Sequence, residues 1–74
     1  MEQKIKKVMG SVFGVAISEI SDLTSPDTIG TWDSLQHINF VLALEEELGV
    51  SFSDEEVGEL VSFPRIVEIV SSKF

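Results

Sequence analysis

The run DSLQHINFVLALEEELG, from Asp33 to Gly49, starts and stops like a helix. Asp33 can accept the free backbone N–H groups of a first turn, and Gln36 stands at the reciprocal capping-box position, so the helix is predicted to begin at Ser34 and to end near Gly49. Wound at about 100° per residue, it carries two apolar stripes. Phe40, Val41, Leu44 and Leu48 form the broader one, with His37 in its sector, and this is the stripe a core would use. On the opposite side lie Leu35, Ile38 and Leu42, flanked by Asn39, Glu45 and Glu46. That second stripe either packs on a loop or a neighbouring helix, or is an exposed contact surface with an acidic rim for a basic partner. The pattern leaves both readings open.

Upstream, Ile5, Val8, Met9, Val12 and Phe13 recur with the spacing of a helix buried along one face, predicted over about Glu2 to Gly14. Gly10 and Gly14 each weaken it by about 1 kcal/mol relative to alanine, and Gly14 is the candidate stop. From Val15 to Asp33 the pattern gives way to Ser, Thr, Asp, Pro and Gly, with Ile17, Ile20, Leu23, Ile29 and Trp32 available to pin a long loop. Loops of that length tend to be functional. Downstream, Ser53-Asp54-Glu55-Glu56 is a capping box announcing a short helix that turns Val57 and Leu60 inward. A last helix is predicted from about Pro64, burying some of Ile66, Val67, Ile69 and Val70. No strand, repeat or low-complexity tract is evident. The expected fold is all-α: one domain over residues 1–74, a small four-helix bundle of three longer helices and one short one, with a long loop between the first and second.

A chain of 74 residues buries only about 60% of the surface its unfolded form exposes, leaving room for one modest core and no deep cleft. Cysteine is absent, which excludes disulfides, thiolate metal sites and a cysteine nucleophile, and fits a reducing compartment. The net charge is −8, and no Lys or Arg occurs between Lys7 and Arg65. That acidic middle repels nucleic acid and favours a partner with a basic surface. The opening MEQKIKK runs into the amphipathic pattern without an apolar leader, and no apolar run is long enough for a membrane span. The expectation is a soluble, cytoplasmic monomer without membrane insertion, nucleic-acid partner or dedicated metal site.

Serine at a helix start is ordinarily a cap. Here Asp33 is the better cap, which leaves the Ser34 hydroxyl free where unpaired N–H groups and the helix dipole favour an anionic phosphate ester. A hydrolase would pair Ser34 with His37 one turn on, but the chain offers no oxyanion hole, cleft or third member for it.

With D-S-L at Asp33 to Leu35, A-L-E-E-E-L at Ala43 to Leu48 and D-E-E at Asp54 to Glu56, essentially the whole chain resembles an acyl carrier protein. The form W-D-S-L-x-H, Trp32 to His37, is similar to small stand-alone carriers used outside bulk fatty-acid synthesis. The resemblance implies that Ser34 receives a 4′-phosphopantetheine arm from coenzyme A through a phosphopantetheinyl transferase, with Asp33 assisting that step. The arm's thiol then holds an acyl or aminoacyl group as a thioester, so the chain is a carrier and not an enzyme. Acyl- or aminoacyl-loading and transferring enzymes with basic docking surfaces are the implied partners, meeting Leu35, Ile38, Asn39, Leu42, Glu45 and Glu46. Trp32 and His37 fall where an arm or acyl pocket would be lined; the plainer readings are a loop anchor and a hydrogen-bonded structural histidine. Three departures from the family pattern point to a specialised lipid or secondary-metabolite pathway: the large Trp32 before D-S-L, Gly30 one position further upstream than usual, and neutral Gln36 and Asn39 in the first turns. The alternative function is an unmodified acidic helical adaptor that docks on a basic partner.

Overall fold

The computed structural model describes residues 2–74. Its helices are α1 (Glu2–Phe13), α2 (Ser34–Leu48), α3 (Asp54–Glu59) and α4 (Phe63–Ser71), and no strand forms among the described residues. The all-α bundle with a long first loop is therefore the fold that the chain adopts.

Helix α1 buries Ile5, Val8, Met9 and Phe13 and stops at Gly14, whose φ of +69° is open to glycine at no steric cost. A helix end leaves carbonyls without intrahelical donors. Two of these are satisfied from elsewhere: Thr31 Oγ1 donates to the Phe13 carbonyl at 2.6 Å and Gln36 Nε2 to the Val12 carbonyl at 3.1 Å. The end of the loop and the first turn of α2 are thereby tied to the end of α1.

Between them the loop is built from side chain to backbone bonds. A 3₁₀ turn spans Ile17–Glu19, Thr24 Oγ1 accepts from the Ser21 N–H at 2.8 Å, and Thr28 Oγ1 from the Ser25 N–H at 2.9 Å. Thr24 is buried, and its carbonyl accepts the N–H of Phe63 at 3.1 Å, joining the loop to α4. Ile20, Ile29 and Trp32 anchor the loop as expected. Ile17 and Leu23 do not: they are 40% and 82% exposed. The Ser21–Thr24 turn points Thr24 at the core, and its neighbour Leu23 consequently faces out.

Phe40, Val41 and Leu44 of α2 enter the core, with Leu48 partly covered, and Gly49 ends the helix at φ +67°. Helix α3 starts on the expected capping box, with both reciprocal bonds made between Ser53 and Glu56. Val57 is only partly buried, and the core residue is Leu60, at the helix end. Helix α4 begins one residue earlier than predicted, at Phe63, because Ser62 accepts the N–H of Arg65 and serves as the cap. Pro64 still lies in the first turn, where its missing N–H is no loss.

No residue within α3 is fully buried, and besides Val57 packing on the core, charge ties the helix to α4 and to the residues just beyond it. Lys73 Nζ meets both oxygens of Glu56 at 2.8 and 3.0 Å, and Arg65 bridges Glu59 at 3.0 Å and also pairs with Glu68. The hydrogen bond from Lys73 holds the Glu56 carboxyl below the usual glutamate range.

Two glycines with opposite surroundings give a test. A Cβ on Gly10 would lie 2.9 Å from the Val15 carbonyl oxygen, backbone that cannot easily move, whereas a Cβ on Gly58 in α3 meets nothing within 4 Å. Gly58→Ala should raise stability by up to about 1 kcal/mol through helix propensity, and Gly10→Ala should lower it despite the same propensity gain. Urea denaturation midpoints of the two variants check both signs.

Candidate functional site

The first turn of α2 is organised by Asp33. Its backbone is extended, its Oδ1 accepts the Gln36 N–H at 2.8 Å, and its carbonyl accepts the His37 N–H at 2.8 Å. The expected reciprocal bond from Gln36 is not made. The Asp33 N–H is already donated to the Thr31 carbonyl, and the Gln36 amide is occupied by Val12 and by Asn39 Nδ2. Ser34, next to the cap, is exposed. Among the described residues its hydroxyl has no hydrogen-bond partner, and the N–H groups of Ser34 and Leu35 have no intramolecular acceptor.

Trp32 is 5% exposed, stacked on Phe13 with ring centroids 4.6 Å apart and set edge-on to Phe40 at 5.9 Å. Its Nε1–H donates to His37 Nδ1 at 3.0 Å, and the other ring nitrogen, Nε2, lies 2.7 Å from the Val57 carbonyl oxygen. An indole nitrogen can only donate and a carbonyl can only accept, so the imidazole between them is neutral, with its proton on Nε2. Both nitrogens are committed. His37 is thus a hydrogen-bonded structural histidine with no lone pair to serve as a base toward Ser34, and the hydrolase reading loses its second member.

Trp32, Asp33, Ser34, His37 and Ile38 line an open groove of about 560 Å³ together with Pro26 and Val61. Tertiary structure brings the last two to the site. Neither carries a local sequence signal, because only the packing of α3 and the loop around α2 sets residues 26 and 61 beside residue 34.

The second stripe of α2 is not core: Leu35, Ile38 and Leu42 are 71%, 49% and 58% exposed. Asn39 and Glu46 are exposed beside it. Glu45 differs from them. It is half-buried, and its Oε2 accepts the Phe52 N–H at 2.9 Å, so it shapes the turn that follows α2 as well as edging the stripe. No described helix is long and apolar enough to cross a membrane.

Compared with known protein families, residues 3–71 match the one described as phosphopantetheine attachment site.

The division of labour between the two acids is measurable. Glu45→Ala leaves the Phe52 N–H without its charged acceptor and should cost about 1–2 kcal/mol, while Glu46→Ala should stay within about 0.5 kcal/mol of the parent. Chemical denaturation of the two variants side by side makes the comparison.

Proposed function

The chain belongs to the phosphopantetheine attachment site family, and on that premise we propose that Ser34 is the residue that takes the arm. Domains of this family carry their cargo and are not themselves catalysts. The observation that supports Ser34 is its freedom: an exposed hydroxyl without an intramolecular partner, at the N-terminus of a helix already capped by Asp33. A phosphate ester there finds the unpaired N–H groups of Ser34 and Leu35 and the positive end of the helix dipole. The residues present therefore fit the group. Bound at Ser34, the arm supplies a thiol for thioester chemistry, which the cysteine-free chain lacks. Asp33 spends one carboxylate oxygen on its cap. The other is available to assist the transferase.

The finer reading is an acyl carrier protein of the small stand-alone W-D-S-L-x-H type, holding an acyl or aminoacyl group in a specialised lipid or secondary-metabolite pathway. Transferase and loading enzymes would dock on Leu35, Ile38 and Leu42, with Asn39 and Glu46 at the rim and Glu45 as a shared structural and rim acid. The exposed stripe would also serve the alternative, an unmodified adaptor on a basic partner; gain of the arm separates the two.

Incubated with coenzyme A and a broad-specificity phosphopantetheinyl transferase, the parent chain should gain the mass of one arm. Ser34→Ala should gain none while keeping its denaturation midpoint, since exposed substitutions usually stay within about 0.5 kcal/mol. Modification of another serine, or no modification of the parent, would overturn the proposal. Leu42→Ala should weaken transferase binding several-fold, as read by titration calorimetry, with its stability unchanged. Raising the ionic strength should weaken binding of the parent too, because salt screens the acidic rim.

A further inference from the structure

We propose that Trp32 sets what an arm on Ser34 can carry: its ring closes the core to an alkyl chain, so cargo rests in the open groove beside Ser34, where short acyl groups fit and long ones overrun it. The cargo class rests on the carrier reading of Ser34. The groove of about 560 Å³ has Ser34 in its lining, so an arm rooted there leaves the surface at its edge. Three segments supply its other apolar contacts: Pro26 from the loop, Ile38 from α2 and Val61 from just beyond α3. All three are exposed, whereas Trp32 is 5% exposed. Trp32 is thus the boundary residue, lining the groove and belonging to the core.

A chain passing from the groove toward Phe13 and Phe40 has to displace the indole, which stacks on the first at 4.6 Å and meets the second edge-on at 5.9 Å. Three ties resist that movement. The Nε1–H donates to His37 Nδ1 at 3.0 Å, and a ring swung aside leaves that bond unmade. The Trp32 backbone N–H donates to the carbonyl of buried Ile29 at 3.1 Å. Thr31 Oγ1 donates to the Phe13 carbonyl at 2.6 Å, which fastens the residue before Trp32 to the end of α1. Ring and backbone are both held, and a close-packed interior makes room only at a cost.

The segment that carries Val61 is fixed as well. Leu60 beside it is fully buried, and the N–H of Phe63 donates to the Thr24 carbonyl at 3.1 Å. Ile38 and Val61 stand 49% and 44% exposed, so an acyl group laid against them removes apolar surface from water on both partners, and the gain grows with the area covered. That area is finite. The first carbons of the group are covered in the groove, and carbons beyond it remain in water. A long alkyl chain is therefore carried as exposed apolar surface, whereas a short acyl or aminoacyl group is not.

The test loads the parent chain from acetyl-, butyryl-, octanoyl- and dodecanoyl-coenzyme A with the broad-specificity transferase and confirms each product by mass. Urea midpoints should rise over the short groups and level off by octanoyl, while native retention on a hydrophobic-interaction column keeps climbing to dodecanoyl. Val61→Asn should lose the early rise. Trp32→Ala leaves a cavity that a chain can fill, so its midpoint should climb through dodecanoyl while its retention flattens. A parent midpoint that climbs to dodecanoyl with level retention, an early rise intact in Val61→Asn, or a parent-like profile in Trp32→Ala would each overturn the role given to Trp32 and its groove and leave the carrier reading standing. A parent that gains no arm overturns both. The parent series decides the matter even if Trp32→Ala does not fold.

Discussion

A single buried indole N–H organises the site. Burying Trp32 on Phe13 and Phe40 removes a large apolar surface from water, but its nitrogen must then find an acceptor inside the protein. His37 supplies it one turn into α2, which fixes the tautomer of the ring and creates a second demand at Nε2. The Val57 carbonyl answers that demand from α3. One donor thus draws the loop, α2 and α3 into a common geometry, and Ser34 sits inside it. The ring of Trp32 turns inward onto Phe13 and is 5% exposed, although it lines the groove beside Ser34.

The surrounding polar residues have structural work that leaves Ser34 out. Asp33 caps the helix, Thr31 and Gln36 satisfy the last carbonyls of α1, and Asn39 binds Gln36. A serine at this position is normally recruited as a cap. Here the cap bond and the last carbonyls of α1 are satisfied without it, so its hydroxyl remains available at a helix end biased toward negative charge. The neutral residues Gln36 and Asn39 have the same explanation. A carboxylate at Gln36 could not donate to the Val12 carbonyl.

Charge is distributed less uniformly than its count suggests. Arg65 and Lys73 lie far along the chain from the acidic run, yet the fold delivers them to Glu56, Glu59 and Glu68, so α3 and α4 are partly neutralised. The acids beside the exposed stripe of α2 have no such partners among the described residues, apart from the hydrogen bond that Glu45 accepts. Those acids stand beside the exposed Leu35, Ile38 and Leu42, while Lys4 and Lys7 of α1 line a groove together with Glu46 and Glu47.

Local rules settle much of this protein. Helix starts at Ser34 and Asp54, the glycine stops at Gly14 and Gly49, and the core stripe of Phe40, Val41 and Leu44 are all legible, because caps and periodicity act within one or two turns of chain. So is the candidate serine, through its place after a better cap. The assignments that failed depend on partners distant in sequence. Gln36 forgoes its capping box for the carbonyl of Val12. Leu23 faces solvent because Thr24 takes the core. Which of two apolar stripes on α2 stays uncovered, and whether Trp32 and His37 meet, are questions of how helices and loop pack together. A sequence specifies what each segment needs to bury or bond, whereas only the assembled fold determines which distant group satisfies it.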